Sequence, residues 1–157
     1  MDLEQLASFL VQATKQGYAS GEGKMRVDEP DGSTSVTVKD GPWKSHDNYF
    51  GGEPYGGRII VFYEGEPVWM MVYYGSVAEG VEDIESIYAM LMEALSQIPL
   101  EAPYRGPAEI VTGTMRYANS WSGSPEDYLG EEHIYNGETL VYSGWYRGGR
   151  VNVRKEA

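Results

Sequence analysis

The sequence predicts an α+β domain, a mainly antiparallel sheet with two helices packed on it, arranged as two pseudo-symmetric helix-plus-strands halves. Three observations carry that expectation. Apolar residues recur at helical spacing in two stretches, Leu3 to Ala13 and Ile84 to Ile98. Runs rich in β-branched and aromatic residues are punctuated by glycine turns. The second hairpin series also repeats features of the first.

The elements follow in order. Asp2 can cap a helix whose Leu3, Leu6, Leu10 and Ala13 share a face, and Gly17 is a natural stop. From Tyr18 to Gly32, glycines and acids dominate, so a mobile loop is expected, with at most a short strand around Lys24 to Val27. Ser35 to Asp40 alternates small polar and β-branched residues, and Gly41-Pro42 turns it into a second strand, WKSHDNYF. Arg58 to Gly75 is the clearest hairpin, two β-branched and aromatic runs joined by Glu64-Gly65-Glu66.

Ile84, Ile87, Tyr88, Leu91, Leu95 and Ile98 then form a helical stripe with acids at its N-terminal end, and Pro99 ends it. LEAPYRGP, directly after Pro99, holds two more prolines and a glycine and reads as a stiff irregular crossing. Strands are expected to resume from Thr114 to Trp121, followed by a hairpin turned at Asn136-Gly137 and a final edge strand over Val151 to Val153.

The internal echo pairs Tyr63-Glu64-Gly65-Glu66 with Tyr135-Asn136-Gly137-Glu138, and Tyr49-Phe50-Gly51 with Tyr128-Leu129-Gly130. A single domain over 1–157, with repeat units 1–80 and 81–157, is the organisation this implies. A cleft where two such halves meet is the natural place for a ligand.

Composition narrows the function. At 157 residues the chain can bury roughly two-thirds of its unfolded surface. Its 41% hydrophobic and 23% charged residues are ordinary for a globular protein and argue against disorder. With no cysteine, disulfides, thiolate nucleophiles and zinc ribbons are excluded. A formal net charge of -12 opposes direct binding to nucleic acid or to an anionic membrane. The N-terminal residues carry an early acid and no long apolar run, so neither a secretory signal nor a membrane span is read, and a cytoplasmic location is expected.

Familiar catalytic signatures are missing. The two histidines, His46 and His133, lie in no metal-binding spacing; no nucleophile elbow, P-loop or dinucleotide fingerprint occurs. The expectation is no metal, no cofactor and no catalytic residue. What does stand out is thirteen Tyr and four Trp against three Phe, since Tyr and Trp carry polar tips suited to a partly wet face. Alternation along Val68 to Gly75 sends Trp69, Met71 and Tyr73 to one face and Met70, Val72 and Tyr74 to the other. One face must meet the helices, and the other could serve as a ligand platform. Glu53, Glu66 and Glu138 are the candidate anions beside it.

These readings select Tyr49, Phe50, Glu53, Trp69, Tyr73, Tyr104, Arg105 and Trp121 as candidate ligand-binding residues. NYFGGEPYGG, from Asn48 to Gly57, is the densest segment, where glycine either admits a ligand close to the backbone or bends a sheet corner. The expected partner is a small cationic or aromatic molecule or a peptide, with a homodimer left open.

DNYFGGEP (47–54), EGEPVWMMVYYG (64–75), PYRGP (103–107) and YNGETLVY (135–142) resemble a bacterial and archaeal family known only as a domain of unknown function. The resemblance implies a stand-alone protein or the C-terminal part of Xre-type helix-turn-helix regulators, hence an effector-sensing role. The duplicated plan is also similar to GyrI-like effector-binding domains. Three functions follow as expectations: a small-molecule or peptide-binding module; an acidic protein-interaction or decoy protein; and a metal-independent enzyme with a carboxylate base.

Overall fold

The computed structural model describes residues 2–17 and 26–152. The chain runs α1 (Leu3–Gln16), β1 (Arg26–Asp28), β2 (Thr34–Asp40), β3 (Trp43–Gly51), β4 (Tyr55–Tyr63), β5 (Glu66–Val77), α2 (Ile84–Ser96), β6 (Glu109–Thr112), β7 (Met115–Ser124), β8 (Asp127–Asn136) and β9 (Thr139–Arg150). This is the α+β, mainly antiparallel architecture that the sequence predicts. No described helix is long and apolar enough to cross a membrane.

Both helices begin where side chains can satisfy their first amides. Asp2 Oδ1 accepts from Glu4 N at 2.9 Å, and Asp83 Oδ1 accepts from Ser86 N at 3.1 Å. Replacing Asp2 by Ala is expected to cost about 1 kcal/mol, read as a lower urea midpoint with an unchanged slope. α1 buries Leu6, Phe9, Leu10 and Ala13, and α2 buries Ile87, Met90, Leu91, Ala94 and Leu95. Each large apolar side chain buried in this way contributes roughly 1.5–3 kcal/mol. α2 stops at Ser96, short of Ile98, because Pro99 cannot continue the ladder; Ile98 is nonetheless buried.

The nine strands form one sheet in the order β1-β2-β3-β4-β5-β9-β8-β7-β6, every pair antiparallel. Read inward from either edge, the strands follow chain order, and the two series meet where β5 pairs with β9. Tyr73 stands opposite Tyr146 at that join. Each tyrosine reaches across a glycine on the next strand. A Cβ added at Gly57 would lie 2.7 Å from Tyr73 Oη, and one at Gly130 would lie 2.2 Å from Tyr146 Cζ. With those positions empty, Tyr73 Oη donates to Asp47 Oδ1 on β3 at 2.5 Å, and Tyr146 Oη donates to Asn119 Oδ1 on β7 at 2.7 Å.

Two apolar clusters fill the helix side. Under α1, Leu6, Phe9 and Leu10 meet Trp43, Val61, Trp69 and Met71; under α2, Ile87, Leu91 and Leu95 meet Tyr55, Tyr117, Ile134 and Tyr142. Alternation leaves the opposite face without helices, and Phe50, Val72, Tyr74, Leu129 and Trp145 are exposed there. His46 lies on that face too, its Nδ1 3.2 Å from Thr37 Oγ1.

Several boundaries differ from expectation. β6 was not anticipated, because four residues after Pro107 give no readable alternation, and β7 extends three residues beyond Trp121. The last hairpin turns on Gly137-Glu138, one residue later than expected: Asn136 pairs with Thr139, and its Oδ1 accepts from Thr114 Oγ1 at 2.8 Å. Gly137, at φ 60°, takes the first loop position that a II′-type turn reserves for glycine. In the first hairpin Glu64 (φ 51°) and Gly65 (φ 86°) form the loop, the I′ pattern.

The expected edge strand over Val151 to Val153 is corrected for its described part. β9 ends at Arg150, and Val151 and Asn152 are not in a strand; Val151 N donates to Val68 O at 3.0 Å. Val153 lies outside the described residues. So do Tyr18 to Met25, which hold the first part of the expected loop and of the short strand; β1 takes up from Arg26. In the echo, Gly51 closes β3 whereas Gly130 lies within β8, and it is Tyr55 and Tyr128 that stand opposite Gly75 and Gly148.

Candidate functional site

A cavity of about 440 Å³ lies on the helix side, between α1, α2 and strands β2 to β5. Leu10 and Ala13 of α1, Val36 and Val38 of β2, and Met92 and Leu95 of α2 supply apolar wall. Tyr49, Tyr55, Tyr73, Tyr88 and Tyr104 add aromatic surface. Among the described residues Asp47 is the only acid in the lining; the cations are Arg26 and Arg105.

Asp47 arrives there by strand alternation. On β3, Ser45, Asp47 and Tyr49 point to the helix side while Lys44, His46 and Asn48 point away. Protein atoms surround the carboxylate on nearly every side, yet it keeps a partly exposed surface, and that surface opens into the cavity. Burial penalises the charged form and pushes the Asp47 carboxyl up to about 6, against the opposing pull of the Tyr73 hydrogen bond and the Arg105 charge. Burial, then the nearby Asp47 charge, raises the Tyr73 phenol far out of the neutral range, so Tyr73 acts as a hydrogen-bond donor.

Arg105 sits in the crossing between α2 and β6, only 8% exposed. Its Nε donates to Glu132 Oε1 at 2.8 Å, and Nη2 lies 2.6 Å from the same oxygen. Nη2 also donates to Tyr55 Oη at 3.3 Å. Tyr117 Oη donates to Glu132 Oε2 at 2.5 Å, and the Tyr55 and Tyr142 hydroxyls are 2.5 Å apart. Burial opposes the guanidinium charge, and Glu132 together with the Tyr55 and Tyr142 hydroxyls more than offsets it, so Arg105 stays protonated.

Two polar atoms of this assembly are left over. Among the described residues Asp47 Oδ2 and Arg105 Nη1 make no hydrogen bond, and no described buried side-chain polar atom is sealed from solvent without a partner. Both residues line the cavity, which is therefore the space onto which these atoms open. One acceptor and one donor face a largely apolar and aromatic hollow.

Of the candidate residues, Tyr49, Tyr73, Tyr104 and Arg105 line the cavity together. The other four stand elsewhere. Phe50 is exposed on the helix-free face. Glu53 accepts from Val77 N at 2.7 Å and from Tyr88 Oη. Trp69 is fully buried, stacked on Tyr128, its Nε1 donating to Pro125 O at 2.9 Å. Trp121 is partly buried against the core under α1. The cavity thus lies on the helix side and not on the face imagined as a platform.

Asp47 and Glu132 were missed. Their signal was alternation: Asp47 shares its face with Ser45 and Tyr49, and Glu132 shares its face with Tyr128, Gly130 and Ile134. An acid on an otherwise buried face needs a distant partner, and neither Tyr73 nor Arg105 is near in sequence.

These features define a small α+β domain built around an aromatic cavity with one carboxylate. The chain belongs to the family described as Domain of unknown function (DUF5680), which matches residues 47–151. That span begins at Asp47 and includes Tyr73, Arg105 and Glu132, while α1, β1 and β2 precede it. No curated protein and no solved structure matches the chain.

Proposed function

We propose that the domain is a small-molecule-binding, effector-sensing module whose ligand occupies the cavity above Asp47. The observation that carries this reading is a carboxylate kept in an aromatic cavity with one oxygen free, an arrangement that costs the empty protein stability. The volume falls within the roughly 300–1,000 Å³ usual for ligand pockets, which favours a small organic molecule over an extended peptide. Fusion of such a module to a DNA-binding part, as the family resemblance implies, would couple ligand to transcription in the cytoplasm.

The two halves of the sheet support the same reading. We take them as related units in which Asp47 and Tyr73 correspond to Asn119 and Tyr146. Around the second pair, Asn119 Nδ2 donates to Gly106 O at 2.8 Å and Tyr104 stacks on Tyr128 with centroids 4.0 Å apart. Around Asn119 the second half is filled by its own side chains; around Asp47 the first is left open, with a carboxylate in place of the amide.

A thermal-shift screen with cationic aromatics, nucleotides, metabolites and short peptides tests the proposal. A ligand at about 100 times its dissociation constant adds roughly 2.7 kcal/mol, on the order of 5–10 °C for a chain this size. Met92→Trp, which fills the cavity, should abolish the shift. A flat response to every class, or a shift that survives Met92→Trp, would refute the site.

One observation also favours catalysis. A carboxyl titrating near 6 is close to the pKa a general base needs at neutral pH, and Arg105 could stabilise an enolate oxygen. This second reading requires ligands of the cavity to exchange a carbon-bound proton with deuterated solvent, and Asp47→Asn to stop that exchange.

A further inference from the structure

Resting on the cavity as a ligand site, we propose that its ligand is an aromatic or apolar amine, protonated at nitrogen and carrying an acceptor oxygen nearby. The ammonium sits on Asp47 Oδ2, and the oxygen accepts from Arg105 Nη1. Charge accounting leads to the first half of this assignment. Among the described residues the deep cluster holds one cation, Arg105, and two acids, Glu132 and Asp47, while the other cation of the lining, Arg26, is exposed on β1. Arg105 is committed to Glu132 at 2.6–2.8 Å, and Tyr73 gives Asp47 a hydrogen but no charge. A single positive ligand brings the cluster to neutrality, a neutral one leaves it at one negative charge, and an anion makes it worse.

The second half comes from Arg105. A guanidinium has five N–H donors, and those on Nη1 make no hydrogen bond among the described residues. Ligand entry strips their water, which costs unless the ligand supplies an acceptor. One small head group can serve both ends. Tyr73 Oη binds Asp47, and Arg105 Cζ lies 5.8 Å from the centroid of the same Tyr73 ring, so the two groups flank a single side chain. The remainder of the ligand then contacts Tyr49, Tyr88 and Met92, where tyrosine rings favour a neighbouring cation.

The contrast with Asn119 bears independently on the charge. Asn119 accepts a tyrosine hydroxyl just as Asp47 does, but it is 6% exposed and its amide nitrogen is used by Gly106 O. Where the sheet is sealed, a neutral amide holds the tyrosine. Of these two equivalent positions, the one that meets open space carries the carboxylate, and Asn119 shows that holding the tyrosine there needs no charge.

Calorimetric titration at neutral pH with four probes decides the matter: phenylalaninol, phenethylamine, phenylpropanol and phenylpropionate. Phenylalaninol should bind tightest. Phenethylamine, lacking the oxygen, should be weaker by roughly 2- to 10-fold, and phenylpropanol, lacking the charge, by roughly 10- to 100-fold. Phenylpropionate should not bind. In Asp47→Asn, phenylalaninol and phenylpropanol should converge while phenylpropanol keeps its wild-type affinity. If phenylpropanol or phenylpropionate matches phenylalaninol in the wild type, or the amine preference survives Asp47→Asn, the ligand class is wrong and the cavity site stands. If none of the four probes binds at millimolar concentration, the ligand class fails, and a flat thermal-shift screen would take the cavity site with it.

Discussion

Glu132→Ala is expected to destabilise the fold by about 3–5 kcal/mol, the cost of leaving a buried charge without its partner. Glu132 is 2% exposed and holds both the Arg105 guanidinium and the Tyr117 hydroxyl. Removing it strands a cation that is itself 8% exposed, opens a void, and leaves Tyr117 without its acceptor. Against the roughly 5–15 kcal/mol that holds a domain together, such a loss leaves little margin. Urea unfolding should show a much lower midpoint. The double variant Glu132→Leu with Arg105→Met should recover most of the loss, because it removes both charges together. A single variant losing less than about 1 kcal/mol would mean that Glu132 does not hold Arg105.

Asp47→Asn should do the reverse and stabilise the ligand-free protein at neutral pH. The folded-state pKa is raised from 3.8 to about 6, so folding disfavours the ionised form. Below pH ~4 the carboxyl is protonated in both states, and Asp47 costs nothing. As pH rises through ~4 to ~6 the unfolded chain ionises first, stability falls, and above ~6 the full cost is present. Two units correspond to about 3 kcal/mol, and solvent in the cavity reduces this to about 1–2 kcal/mol. Asn keeps an oxygen for the Tyr73 hydroxyl, as Asn119 does for Tyr146. Melting curves from pH ~4 to ~8 should therefore show the variant and the wild type converging in acid and diverging toward neutrality. A variant less stable than the wild type at neutral pH would contradict the sign. The same substitution should abolish the preference for amines, the trade expected of a group kept for binding.

Local chemistry made the fold legible. Asp2 and Asp83 cap, Gly17 and Pro99 bound the helices, and Glu64-Gly65 turns the central hairpin, all by interactions within a few residues. What escaped depends on distant contacts. β6 is four residues long and is recruited by β7; the turn at Gly137 shifts by one because Asn136 is held by Thr114 across the sheet. The candidate site was legible in part for a similar reason. Arg105, Tyr73, Tyr104 and Tyr49 were found through their unusual settings, whereas Asp47 looked like a hydrophilic strand residue beside His46, and Glu132 looked like solvated surface beside His133. Their partners are 26 and 27 residues away, on elements that only the strand order brings close. Trp69 shows the converse: a large aromatic on the correct face, but seated beyond the cavity in the stack with Tyr128 and Tyr104.

The most direct test is chemical-shift mapping of the labelled protein during titration with phenylalaninol. Binding in the cavity requires the perturbed resonances to cluster on Ala13, Asp47, Tyr49, Tyr73 and Met92, saturating together. Perturbations confined to Val72, Tyr74, Leu129 and Trp145 would place the interaction on the helix-free face and contradict the cavity as the site.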